Sequence, residues 1–224
     1  MLQLDGSHGE GGGQILRSSL ALSIITGKPF HIRKIRAGRE KPGLRPAHLA
    51  AVNAAAEICG GRTAGVAVGS RDLTFEPGEL KPGDYEIDIG TAGSTTLVLQ
   101  TILPPLLTAA GPSRIVLTGG THNPFAPPFD FLERSFIPIL TRMGPQIALH
   151  LERVGFAPKG RGRLVADITP AAQLTPIALT ECGELVERRV RAVVAGLPRN
   201  IAEREVQTAC DVLGWPVDAG IVEE

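Results

Sequence analysis

Two stretches of this 224-residue chain can be laid over one another at a shift of about 84 residues, and that repetition limits the possible folds more than any other feature. In the first stretch, a strand over Leu2–Leu4 runs into glycine-rich Gly6–Gly13 and then a periodic apolar helix, Gln14–Thr26. Gly27-Lys28-Pro29 stops that helix before a strand over Phe30–Ile35. The second stretch has a strand over Tyr85–Ile89, the turn Gly90-Thr91-Ala92-Gly93-Ser94 and a helix from Thr95. It stops at Gly111-Pro112-Ser113, ahead of a strand over Arg114–Leu117. Glycine at each stop reads as a helix C-cap.

The parallel continues. Arg36–Gly43 precedes a helix over Pro46–Ile58, and Thr118–Pro124 precedes one over Pro128–Thr141. Two short strands close each stretch, Thr63–Val68 with Asp72–Phe75, and Gln146–Leu151 with Leu164–Ile168. The unit is therefore β-α-β-α-β-β, used twice, over residues 1–79 and 80–170. Leu16, Leu20 and Ile24 make one apolar helix face, and Ala51, Ala55 and Ile58 another. Two helices on one face of a four-stranded sheet bury both faces, which predicts an α/β (α+β) fold. Such units have open flanks and favour packing around one another.

Beyond Pro170 the pattern changes. Ala171–Ala178 reads as a linker, followed by an alternating strand over Leu185–Ala195 and a helix over Ile201–Leu213. One strand and one helix cannot enclose a core, so the segment 171–224 is expected to be part of a smaller, incomplete α/β module.

Twenty-three basic residues balance twenty-three acidic ones, so any nucleic acid is met through a local patch and not a globally basic surface. Cys59, Cys182 and Cys210 are odd in number and far apart, which argues against a disulfide framework or a thiolate zinc site. Cys59, at a helix end, reads as a small buried residue. The sequence has no basic-then-apolar leader and no apolar stretch long enough to span a bilayer, so no membrane association and a cytoplasmic location are expected.

The chemistry concentrates at the first glycine run, where Gly6, Gly9, Gly11, Gly12 and Gly13 surround Ser7, His8 and Glu10. Bare amides followed by a helix N-terminus suit phosphate. Glu10 would oppose phosphate by itself, and a Mg²⁺ held jointly by carboxylate and phosphate reconciles the two. A favourable interaction with the helix dipole is the simpler role for Glu10. The run lacks the Gly-Lys-Ser/Thr ending of a Walker loop and the acidic residue of a dinucleotide fingerprint.

Arg17, on the first turns of the helix, can fork onto phosphate oxygens, or else is a solvated helix residue. Arg36, Arg39, Lys41 and Arg45 make a basic loop after the second strand that can neighbour the glycines and hold a polyanion. Gln100, in an otherwise apolar helix, needs a polar partner such as a base edge or sugar hydroxyl. Asp5 is expected to order the loop through backbone amides. His8 and His122 occupy the two matching loops and could touch ligand, whereas His31, His48 and His150 read as structural.

Leu4-Asp5-Gly6-Ser7-His8-Gly9-Glu10-Gly11-Gly12-Gly13-Gln14-Ile15-Leu16-Arg17 resembles the opening signature of the RNA 3'-terminal phosphate cyclase family. Ile35–Arg39, Lys41–Leu44, Gly93-Ser94 with Leu99-Gln100, and Ala202-Glu203-Arg204-Glu205 follow the same pattern. The resemblance implies a repeated β-α-β-α-β-β body with a smaller inserted α/β domain. It implies ATP and Mg²⁺ as cofactors and RNA 3'-phosphate ends as partners. In the family, a histidine takes AMP from ATP, passes it to the RNA 3'-phosphate, and the 2'-hydroxyl then closes the 2',3'-cyclic phosphate.

By matching motif, Glu10 and Arg17 would be catalytic, with Glu10 at the metal. Arg36 and Arg39 would bind phosphate, Gln100 would contact ATP, and His8, Gly11, Gly12 and Gly13 would complete the nucleotide site.

Three departures stand out. None of the five histidines matches the family's nucleotidyl-accepting one, so the chain alone is expected not to adenylylate itself. Another copy, or a chain supplying a C-terminal part, is the implied protein partner. Ala47-His48 stands where the family has Gln-His, and Arg161 takes the place of a glycine. Two other readings use the same repeats: a non-catalytic RNA-binding or ribosome-assembly relative, and a transferase resembling enolpyruvyl transferases.

Overall fold

The computed structural model describes residues 1–217 and 220–223. The chain divides into two compact units, Met1–Ile177 and Ala178–Glu224.

The first unit contains both repeats. Its opening repeat runs β1 (Leu2–Asp5), α1 (Gln14–Thr26), β2 (Phe30–Arg33), α2 (Pro46–Cys59), β3 (Arg62–Ala64) and β4 (Leu73–Glu76). The second runs β5 (Asp84–Asp88), α3 (Thr95–Leu106), β6 (Ser113–Gly119), a broken helix, β7 (Gln146–Arg153) and β8 (Gly162–Thr169). Their sheets have the same order, β1-β2-β4-β3 and β5-β6-β8-β7. The first pair of each sheet is parallel and the others antiparallel, as a helical crossover followed by a hairpin requires. The α+β architecture is the one that the repeat pattern predicts.

Alternation places Phe30, Ile32, Leu73 and Phe75 on the buried face of the first sheet, and Ile115, Leu117, Leu164, Ala166 and Ile168 on that of the second. Leu16, Leu20 and Ile24 of α1, and Ala51, Ala55 and Ile58 of α2, are buried as their spacing predicts. α1 and α2 pack on each other and both pack on α3, so one core joins the repeats.

Several boundaries differ from the sequence pattern, each for a local reason. β2 ends at Arg33, two residues early, because Lys34 and Arg36 take left-handed backbone angles of 55° and 54°. β3 stops at Ala64, which pairs with Thr74 almost at the start of β4, so no partner remains for the expected extension to Val68. α3 ends at Leu106, not at Gly111, closing through tight bonds from Thr108 to Pro105 and from Ala109 to Leu106. Pro104 and Pro105 near its end remove two amide donors.

The helix expected over Pro128–Thr141 is α4 (Phe129–Phe131), a π turn (Leu132–Phe136) and α5 (Ile137–Thr141). Ile137 donates to Leu132, five residues back, immediately before Pro138, whose ring cannot follow an ordinary turn.

Residues 171–177 are irregular and bond back onto the first unit, Ala171 to Leu107 and Thr175 to Met143. The second unit is a β-α-β element: β9 (Val190–Val193), α6 (Arg199–Leu213) and β10 (Gly220–Glu223). The strand expected over Leu185–Ala195 shrinks to β9 because its partner β10 offers four residues. Ala192, Val194, Ala202, Val206 and Cys210 form its own small core.

Candidate active site

Asp5 ends β1 and ties down the loop that follows. Its carboxylate accepts the Ser7 amide at 2.9 Å, the Ser7 hydroxyl at 2.5 Å and Lys34 Nζ at 3.0 Å. These bonds, Ser7's foremost, hold its carboxyl well below the usual range. Asp88 ends β5 in the same way, accepting the Gly90 amide at 2.8 Å.

From there the two loops diverge. In the second repeat, Gly120 donates to the Gly93 carbonyl at 2.8 Å, and Thr95 donates to Gly120 from both amide and hydroxyl. Ser94 Oγ caps α3 by accepting the Leu97 amide at 3.2 Å. That loop is closed by its own chain.

The first loop stays open. Gly13 is the N-cap of α1 and brings no capping side chain, and the first turn holds no acid. The amides of Gln14, Ile15 and Leu16 therefore have no acceptor within the helix. With Gly11–Gly13, Gln14 and Ile15 border a cavity of about 690 Å³, within the range of small-ligand sites. Leu97 and Gln100 of α3 wall its other side, with Phe125 and Pro127 from the loop after β6.

Glycine is required at two points of the rim. Gly11 has φ +59°, and a Cβ there would lie 2.8 Å from the Gly38 amide nitrogen. A Cβ on Gly13 would lie 2.5 Å from His48 Nε2. The loop therefore lies directly on the basic segment and on the start of α2.

Arg17 crosses the cavity between repeats. Its Nε donates to Gln100 Oε1 at 3.2 Å, and its Nη2 to Gln14 Oε1 at 2.9 Å. Burial pushes its pKa down from the usual guanidinium value. Gln100 is exposed toward the cavity, with its NH₂ remaining to donate. Arg39 meets Glu10 in an ion pair at the rim, and both side chains are substantially exposed. His8 also lines the cavity.

Arg36 is placed differently from these. Its Nη1 donates to the carbonyls of Lys41 at 2.7 Å and Gly43 at 2.9 Å, so it braces the basic loop and is not among the cavity-lining residues. Burial, then the neighbouring Arg45, lowers its pKa.

His48 was legible only as a helix-start residue, yet it underlies the site. Its Nδ1 accepts the Arg45 amide at 3.2 Å, which leaves Nε2 to carry the proton beside Gly13. Burial, followed by the charges of Arg36, Arg17 and Arg45, drops its pKa to about 4, so the ring is neutral at pH 7. A further cation among these three guanidinium groups is thereby avoided.

His122 does not border the cavity. It bonds Thr121 Oγ1 at 2.8 Å and Asp130 at 3.0 Å, fastening the loop that carries Phe125. His31 bonds Thr74 Oγ1 at 3.0 Å across the first sheet, as a structural residue would. Ala47 lies against Gly93, whose Cβ position would fall 2.8 Å from the Ala47 methyl. Arg161 has φ +57°, a left-handed angle that explains a glycine there in the family pattern.

Among the described residues, no group of three or more His, Cys, Asp or Glu gathers as a metal centre. Glu10 is the one carboxylate among the described residues lining the cavity, which suits a cation held partly by a bound phosphate and not by protein alone. No helix of the described residues is long and apolar enough to cross a membrane.

Known proteins carry the same pattern. The family profile described as RNA 3'-terminal phosphate cyclase matches residues 8–220. An RNA 3'-terminal phosphate cyclase of Koribacter versatilis is 54% identical over 214 residues, covering 96% of this chain and 60% of the relative. One from Ectopseudomonas mendocina is 52% identical over 218 residues, covering 97% of this chain and 63% of the relative. A third, from Pseudomonas fluorescens, is 52% identical over 216 residues, covering 96% and 62%. The chain thus spans 60% to 63% of the length of these relatives. With the repeated fold, the open glycine loop and these matches together, the chain belongs to the RNA 3'-terminal phosphate cyclase family.

Proposed function

We propose that this chain forms the ATP-holding body of an enzyme that converts an RNA 3'-terminal phosphate to a 2',3'-cyclic phosphodiester. The observation that carries this reading is the uncapped N-terminus of α1, with its own Arg17, facing Arg39 and Gln100 across one cavity. Amide donors, a helix dipole and two guanidinium groups make a strong polyanion site.

In this reading the amides after Gly11 hold the triphosphate. Arg17 forks onto its oxygens, and the Gln100 NH₂ orients base or sugar. Arg39 releases Glu10 to a Mg²⁺ that arrives with the nucleotide, and the ion then neutralises phosphate charge. Pro127 and Phe131 border an adjoining apolar crevice that also includes Gln100, a fitting seat for the adenine ring.

The reaction is nucleotidyl transfer in three displacements. A nucleophile attacks the α-phosphorus of ATP and pyrophosphate leaves. An oxygen of the RNA 3'-phosphate then takes AMP. Finally the 2'-hydroxyl loses its proton, attacks the 3'-phosphorus and expels AMP. The nucleophilic histidine of the family corresponds to none of the five in this chain, so the chain binds ATP without becoming labelled.

Incubation with labelled ATP and Mg²⁺ tests this. Reversible binding is expected, weakened roughly tenfold by Glu10→Ala, as loss of one charge-assisted metal contact implies. An acid-labile AMP adduct would overturn the assignment of the nucleophile. RNA binding indifferent both to ATP and to Glu10 would instead favour a non-catalytic RNA-binding protein.

A further inference from the structure

Among the described residues Phe125 is the most exposed large apolar side chain, and it lines the cavity. A fully solvated phenyl ring at the edge of a polar, arginine-bearing site needs an explanation that core packing does not supply. Its backbone has φ +62°, uncommon for a bulky residue and adopted only when surroundings impose it.

The surroundings do impose it. His122 bonds Asp130 at 3.0 Å across the base of the loop, and Phe129 donates to the Thr121 carbonyl at 3.2 Å. Asn123 Nδ2 donates to the Ala92 carbonyl at 2.6 Å, and the Ala126 amide to the Asn123 carbonyl at 3.3 Å. Both ends of the loop are thus held while its tip projects.

We propose that Phe125 is a stacking platform for the base of the terminal nucleotide of a 3'-phosphorylated single-stranded RNA. This rests on the function proposed above and adds the residue that grips the second substrate. Pro127 borders both the cavity and the apolar crevice, but Phe131 belongs to the crevice and Phe125 to the cavity. With adenine in the crevice, Phe125 is left for another base. Stacking on a lone ring tolerates every base, so this contact would hold an RNA end without selecting its sequence.

The test is a titration of this chain with a fluorescent oligoribonucleotide ending in a 3'-phosphate, beside a separate titration with ATP. Phe125→Ala should weaken RNA roughly tenfold and by more than it weakens ATP, whereas Phe125→Trp should stay within about twofold for RNA. An oligonucleotide with an abasic terminal nucleotide should lose the same factor against the wild-type chain, and lose nothing further against Phe125→Ala. Because the ring is exposed, an unchanged thermal transition should accompany both variants. Unaltered RNA affinity in Phe125→Ala, additive losses with the abasic end, or a loss confined to ATP would each overturn the proposal. A wild-type chain that binds ATP but no 3'-phosphorylated RNA would remove this proposal and leave the nucleotide site standing. A chain that binds neither would remove the proposed function itself.

Discussion

At the scale of single residues, the site is organised by keeping one histidine uncharged. His48 sits where three arginines converge, and its pKa falls from 6.5 to about 4. The unfolded chain therefore takes up this proton before the folded one does. Stability from this group is full above pH 6.5 and is lost progressively as pH falls toward about 4. The loss is about 3 kcal/mol. Urea unfolding at a series of pH values should show this slope, and His48→Gln should flatten it between those limits. Equal slopes in both proteins would show that another group is responsible. Arg17, Glu10 and the glycines were legible because their motif is contiguous. The burial of His48 was not, since it depends on chain segments that meet only after folding, and Arg36 turns onto carbonyls of its own loop, a conformation that residue types do not specify.

Elements of the two repeats share a blueprint but differ at the helix starts. Ser94 closes α3 and Gly13 leaves α1 open, a difference of one capping side chain with opposite consequences. Ser94→Ala should lower stability by about 1 kcal/mol, because the Leu97 amide loses its acceptor. Binding of ATP should be unaffected. Gly13→Ala should do the reverse to function: its methyl would press on His48 and Arg17, and ATP affinity should fall roughly tenfold. Denaturant midpoints and ATP titrations of both variants check the contrast. Unchanged ATP binding in Gly13→Ala would take the loop out of the site. Periodicity revealed which segments are helix or strand, yet it missed the π turn and the short β9. Those depend on Pro138 breaking a hydrogen-bond ladder and on how many residues the partner strand offers.

In the first unit the repeats are not separate bodies, because α3 of one packs on α1 and α2 of the other. Leu99 is fully buried in that shared core. Leu99→Ala should cost 2–5 kcal/mol in round terms (about the range for a buried leucine), and both repeats should lose it together. Hydrogen exchange provides the check: amides of β2 and β6 should lose protection in parallel. Retained protection in β2 alone would mean that the repeats open independently. The same packing builds the site, since Arg17 from one repeat finds Gln100 of the other.

What the sequence determined by itself is the local order: a doubled β-α-β-α-β-β pattern and a glycine run leading into a helix. Periodicity and glycine act within a few residues, so they can be read without a fold. Tertiary structure alone decided that His48 lies against Gly13, that Arg17 meets Gln100, and that Phe125 borders the cavity. Each of these follows from contacts between segments distant in the chain, which no local pattern encodes.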